Sequence, residues 1–164
     1  MNARTETERP RMATDRIAGH GSPHLDVAII GAGPYGLSAG AHLKSKGLHV
    51  RIFGKPMDFW EDKMPEGMLL RSPRVASNLS DPRSQFTLEA FEAASGRKPT
   101  APVALETFVA YGHWFRQQLG VEMDFQNVAL ISQEGSNFRL VLDDGSALRS
   151  RRVVVAAGIG HFQR

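Results

Sequence analysis

Four apolar residues, Val27-Ala28-Ile29-Ile30, run directly into Gly31-Ala32-Gly33-Pro34-Tyr35-Gly36, and a helical pattern follows from Leu37 to Lys46. A continuous apolar run bounded by glycines is the mark of a parallel strand buried on both faces. Gly36, Gly40 and Leu43 share one face of the predicted helix and Gly47 stops it, so two small residues let that helix lie close to the sheet. Leu48 to Phe53 is rich in strand formers and reads as a second strand parallel to the first. The stretch fills the ~30 residues that a strand, crossover helix and parallel strand require.

Downstream the pattern changes. From Gly54 to Gln85 no period holds, and prolines at 56, 65, 73 and 82 forbid long regular elements. Irregular stretches longer than ~12–15 residues in compact domains are functional or disordered, and Phe59, Trp60, Met68, Leu69 and Leu70 argue against disorder. Thr87 is a plausible N-cap for a short helix to Ser95, closed by Gly96. A longer helix, Leu105 to Leu119, aligns Phe108, Tyr111, Gly112, Phe115 and Leu119 in one core-facing stripe that ends at Gly120. Three short β-like runs follow, Val128–Ile131, Phe138–Leu142 and Ala147-Leu148, the last two joined through Asp144-Gly145, a tight-hairpin signal. They predict a small antiparallel meander. Val153 to Ala157 then reads as a separate strand returning to the central sheet.

Composition excludes several classes of function. The 164 residues correspond to one domain or part of one. There is no cysteine, which removes thiol nucleophiles, cysteine-ligated zinc, iron–sulfur clusters and disulfide scaffolds, so redox chemistry here needs a borrowed cofactor. No apolar run approaches the ~20 residues that span a bilayer, and no membrane association is expected. Residues 1–24 are polar, carry Arg4, Arg9, Arg11 and Arg16 beside Glu6, Glu8 and Asp15, and lack the apolar core of a secretory signal. They read as a disordered leader before a domain over residues 25–164, and the expected location is cytoplasmic. A net charge of +3 permits anionic partners. Arg71, Arg74 and Arg83, and Arg149, Arg151 and Arg152, have acids between them and no interleaved aromatics, so a solvated surface is expected rather than a nucleic-acid site.

The chemistry is concentrated at the glycines. A Gly-x-Gly-x-x-Gly motif alone is common, but here it follows a buried strand and opens a helix. In that context Gly31 makes the turn, Gly33 lets the backbone approach a pyrophosphate, and Gly36 brings helix and strand together. The helix N-terminus adds unpaired N–H groups and partial positive charge. One part of the pattern is missing. The second strand usually ends in an acid that hydrogen-bonds the ribose, yet Gly54 and Lys55 stand there, with Asp58 slightly beyond as a possible substitute. Gly36-Leu37-Ser38-Ala39-Gly40 also matches a hydrolase nucleophile elbow, and Asp143 and His161 follow in a permissible order. An elbow serine must sit on the turn, however, and Ser38 falls inside the helix. His20, His24, His42, His49 and His113 have no ligand-like spacing, so no metal site is expected.

With these residues in view, the sequence from Asp26 to Phe162 resembles flavin-dependent monooxygenases of the two-dinucleotide-domain type, which include flavin-containing and N-hydroxylating monooxygenases. The stretch DVAIIGAGPYGLSAGAHLKSKGLHVRIF is similar to their FAD-binding start, with Gly31, Gly33, Pro34, Tyr35 and Gly36 at the pyrophosphate. DFWEDKMPEGMLLRSP is similar to their segment beside the flavin, where Trp60 and Arg71 would line the cofactor. RRVVVAAGIGHF resembles their second strand motif, which puts Ala157 and Gly158 at the cofactor. Asn78, in Ser77-Asn78-Leu79-Ser80, matches weakly the place of an asparagine near the flavin, and is a catalytic candidate beside the alternative that it caps a loop.

The resemblance implies a Rossmann-like α/β FAD/NAD(P)-binding domain, a parallel sheet with a small antiparallel meander. It also implies FAD as cofactor, NADPH as reductant and O2 activation, with one oxygen atom passing to a small-molecule amine, sulfide or ketone. The single glycine motif here, against two in the family, implies a chain truncated before the NADPH domain. The alternative is a non-catalytic dinucleotide-binding module, or an inactive fragment, that needs a partner chain to supply the other half.

Overall fold

The computed structural model describes residues 25–158; the leader expected over residues 1–24, and Gly160, His161 and Phe162, lie outside the described residues. Strand β1 (Leu25–Ile30), helix α1 (Pro34–Ser45) and strand β2 (Val50–Phe53) form the expected unit, with β1 and β2 parallel through Val27↔Val50 to Ile30↔Phe53. Both faces of these strands are buried. Val27, Ile29, Val50 and Ile52 join the helix-side core, while Ala28 and Phe53 pack on the other face with Leu140 and Leu142. This two-sided burial is why the strands read as unbroken apolar runs.

The irregular region is ordered. Helix α2 (Asp58–Asp62), strand β3 (Leu69–Leu70) and a 3-10 turn (Arg74–Ser77) lead to helix α3 (Leu88–Ser95), strand β4 (Val103–Ala104) and helix α4 (Leu105–Leu119). As expected, Thr87 caps α3, its side chain accepting from the Ala90 N–H at 3.1 Å, and Gly96 closes it in the left-handed region. The α4 stripe of Phe108, Tyr111, Gly112, Phe115 and Leu119 is buried as predicted. The antiparallel pairing of β3 with β4 was not legible in two-residue strands. Lys44 of α1 donates to the carbonyls of Leu119 and Gly120 at 2.8 and 2.6 Å, satisfying acceptors that a helix C-terminus leaves free.

Strand β5 (Glu122–Asp124) adds a parallel edge to β2, and β6 (Val128–Glu134), β7 (Asn137–Leu142) and β8 (Ala147–Val155) complete one six-stranded sheet in the order β5-β2-β1-β8-β7-β6. Two sequence expectations change here. First, β5 carries no apolar pattern in Glu-Met-Asp and was not expected; Glu122 is held by an ion pair to Arg51 and by a 3.3 Å contact with the His49 ring. Second, the runs expected as two strands, Ala147-Leu148 and Val153–Ala157, are one. Residues 147–150 of β8 pair antiparallel with β7, and residues 150–155 pair parallel with β1. The polar stretch Arg149 to Arg152 hid this continuity. Ser150, fully buried where the strand changes partner, donates to Arg152 O at 2.7 Å, and Arg149 and Arg151 pair with Glu134 and Asp26.

Residues 78–88 are tied down by polar anchors. The Tyr111 hydroxyl, fully buried, accepts from Leu79 N at 3.0 Å and donates to Phe86 O at 2.6 Å. Burial pushes its pKa up to about 12. Asp81 is also buried, which on its own would raise its pKa. The N–H groups of Phe86, Gln85 and Arg83, with help from His42, outweigh burial and hold the carboxyl below its usual range. Tyr111→Phe strips the buried Leu79 N–H and the half-buried Phe86 carbonyl of their partner, so chemical denaturation should show a loss of about 2 kcal/mol; an unchanged midpoint would refute the anchoring role. Because its folded pKa is depressed, Asp81 contributes stability that is present above the ordinary carboxylate pKa and lost as pH falls through the lowered value. Asp81→Asn should therefore destabilise the chain at neutral pH and flatten the acid limb of its stability profile.

Candidate functional site

The three motif glycines do different work. Gly31 stands at φ +104°, and a Cβ there would lie 2.3 Å from Ala156 O; both the backbone conformation and the approach of β8 demand glycine. A Cβ on Gly36 would meet Gly31 O at 1.8 Å, so α1 could not approach the turn if a side chain were present. Gly33 is the opposite case. Its φ of −76° suits any residue, and a Cβ would find nothing within 4 Å. Its outer side is open, where the backbone would face a ligand.

Gly33 is the N-cap of α1, no side chain caps this end and the first turn holds no acid. Pro34 occupies the first helical position, where the missing N–H costs nothing, and Tyr35 beside it is 85% exposed. The free N–H groups and helix dipole thus face an uncrowded space suited to an anion. Donor chemistry and the open side of Gly33 both fit a diphosphate. The end of β8 adjoins this turn, since Ala157 Cα would lie 2.9 Å from a Cβ on Gly31. Gly158 follows at φ +67°. The first and last sequence motifs are therefore brought together, as the pairing of β1 with β8 requires.

The middle motif hangs from the same turn. Met57 N donates to Ala32 O at 3.2 Å, and Met57, wholly buried, starts α2. Trp60 of α2 packs edge-on against Phe108 with ring centroids 4.7 Å apart. Trp60 and Arg71 line one open depression of about 440 Å³ with Met64, Met68, Leu69 and Leu70. Its wall is apolar and sulfur-rich, with a single exposed guanidinium.

Other candidates are occupied. Asn78 accepts from Leu88 N at 2.7 Å and donates to Val75 O at 3.2 Å, so both ends of its amide hold the loop. Ser38 lies inside α1, donating to Pro34 O at 2.8 Å and accepting from Ser80 N at 3.0 Å, so its hydroxyl is engaged within the helix and the adjoining loop. Asp58 is paired with Lys55 at 3.2 Å, and Lys55 also reaches Glu61 and Asp62, each at 3.5 Å. Among the described residues no group of three His, Asp or Glu is placed to hold a metal, and no helix is long and apolar enough to cross a membrane. Sequence reading passed over Asn127, an exposed residue of the β5–β6 loop. Its side chain donates to Asp143 at 3.0 Å, and it carries no motif signal.

No family model matches the chain. The thioredoxin reductase of Helicobacter pylori is 26% identical over 134 residues, covering 82% of this chain and 35% of that protein. Among solved structures, a flavin-containing monooxygenase from Stenotrophomonas maltophilia has a TM-score of 0.66 at 25% identity, over 80% of this chain and 38% of that one. The bacillithiol disulfide reductase Bdr of Staphylococcus aureus has a TM-score of 0.69 at 17% identity, over 82% and 38%, and shows likeness of fold alone. The chain thus spans little more than a third of the length of each. Its fold is that of a Rossmann-like FAD/NAD(P)-binding domain, and the proteins it resembles are flavin-dependent oxidoreductases, reductases and monooxygenases alike.

Proposed function

We propose that this chain is the FAD-binding portion of a flavin-dependent oxidoreductase. The observation that carries the reading is the open side of Gly33 above the uncapped start of α1, with the end of β8 packed against the turn. The backbone N–H groups of the turn and first helical turn would hold the diphosphate, with Tyr35 at its edge. Ala157 and Gly158 close the site from the β8 side. Trp60 and Arg71 would line the ring-bearing end, where the ring would cover an apolar wall and a guanidinium favours an electron-rich, partly anionic ring system. When bound, FAD supplies the redox chemistry; the protein positions and shields it. With no cysteine in the chain, thiol–disulfide exchange is not carried by these residues.

The finer reading is a monooxygenase in which NADPH is the reductant and O2 the oxidant for a small-molecule substrate, acting in the cytoplasm without nucleic acid or membrane. It rests on the segments around Trp60, Arg71 and Ala157-Gly158. The whole enzyme decides between this and a reductase: NADPH consumption coupled to an oxygenated product supports the first, and NADPH-dependent reduction of a disulfide the second. A second reading is a non-catalytic module that works with a partner chain. It is favoured by the edge of β8 at residues 151–155, which pairs with β1 on one side and, among the described residues, with no strand on the other. Val155 there is 70% exposed.

The purified chain, incubated with FAD and desalted, should retain the flavin absorbance bands in stoichiometric amount; a folded but colourless protein would overturn FAD binding by this chain alone. Gly33→Val should keep the wild-type circular dichroism and a cooperative thermal transition yet lose the flavin, because a Cβ there meets no protein atom within 4 Å and would extend into the open side of the turn. Gly36→Val should instead fail to fold, since its first carbon collides with backbone. Flavin retained by a folded Gly33→Val would remove the diphosphate from this turn.

A further inference from the structure

The end of β2, where dinucleotide sites ordinarily carry an acid for the ribose, holds Gly54 at φ +109°. Its N–H donates to Asp124 O at 2.8 Å, tying β2 to the end of β5. A Cβ built on Gly54 would point between two things. On one side is the glycine turn, with Gly31 Cα at 4.0 Å and Ala32 N at 3.9 Å; on the other is the Asn127 side-chain oxygen at 3.9 Å. The place where an acidic side chain would begin is therefore already bordered by an acceptor delivered from another loop.

That oxygen is oriented. Asn127 Nδ2 donates to Asp143 Oδ2 at 3.0 Å, and Asp143 N donates to Asn127 O at 3.1 Å, joining the β5–β6 loop to the β7–β8 turn. An ionised carboxylate only accepts, so the amide nitrogen must face Asp143 and Oδ1 the Gly54 side. Among the described residues Oδ1 has no hydrogen-bond donor of its own. Asn127 is also exposed, and so accessible to a ligand.

We infer that Asn127, held by Asp143, is the acceptor for the adenosine ribose hydroxyls of the bound dinucleotide, replacing the acid absent at Gly54. The inference rests on the reading that the Gly31–Gly36 turn holds the FAD diphosphate. An amide oxygen is uncharged, so the recognition is weaker than a carboxylate gives and the effects are modest.

The test is binding of FAD, and of an FAD analogue whose adenosine ribose lacks both hydroxyls, to the whole chain by flavin fluorescence titration. Wild type should prefer FAD by about three- to tenfold. Asn127→Ala should bind both with the affinity wild type has for the analogue. Asp143→Ala keeps the amide but frees it to rotate, and should shrink the preference; it serves also if Asn127→Ala proves unstable. A preference undiminished in these variants, or a wild type that binds FAD and analogue equally, overturns the role of Asn127 and leaves the diphosphate site standing. Wild type that binds neither overturns the FAD reading and this inference with it.

Discussion

The structure depends on one steric constraint, the approach of α1 to the turn that precedes it. Gly36 lies so near Gly31 O that a single added carbon would sit at 1.8 Å, far inside contact distance. Because nothing intervenes, α1 descends onto β1 and β2, with the buried Gly40 over Ile52 and Ile29 continuing the close contact one turn on. The same constraint lets β8 pass beside Gly31, and with β8 comes the meander that covers the other sheet face through Leu140 and Leu142. Packing and ligand geometry here have a common origin. The turn tight enough to seat the helix is also the turn that leaves Gly33 facing open space.

The long connection between β2 and α3 obeys different physics. It buries some apolar surface through Met57, Leu70 and Leu79, but its path is set by polar groups that have no alternative partner. Tyr111, Asp81 and Asn78 together accept or donate seven hydrogen bonds to backbone of residues 75–88. Arg74 pairs with Glu92, which is 2% exposed, and also donates to Thr100 O. A buried carboxylate without its cation costs several kcal/mol, so this pair fixes where the 3-10 turn meets α3. Such anchors give an irregular segment one conformation without regular structure. That is what a wall carrying Trp60 and Arg71 needs if it is to present a constant shape.

What could be read in advance divides along the same line. The β1–α1–β2 unit, the Thr87 cap and the α4 stripe were legible because each is a local rule written in consecutive residues. Strand β5 was not, because its partners Arg51 and His49 are some 70 residues away in sequence and its own three residues are polar. The unity of β8 was hidden because Ser150 is satisfied by Arg152 O and Leu25 O rather than by burial of an apolar side chain. In the candidate site, the glycine motif and the Ala157-Gly158 ending were visible as patterns. Their contact required the parallel pairing of β1 and β8. Asn78 carries a second role that its motif position did not announce, since its amide binds Leu88 N at the start of α3 and Val75 O.

The vacancy at Gly54 shows why a missing motif residue does not by itself mean a missing function. Ribose hydroxyls require an acceptor at a place in space, and in this fold three strand ends, those of β1, β2 and β5, converge there through Gly31 N on Phe53 O and Gly54 N on Asp124 O. Any of the loops leaving those ends can deliver an oxygen to it. A glycine at position 54 keeps the space clear, and the β7–β8 turn contributes Asp143 to aim the amide of Asn127 toward it. The motif is a property of one strand, whereas the site is a property of the sheet edge. A glycine at the end of β2 and an oriented amide beside it, held from a second loop, therefore together form the edge of this space.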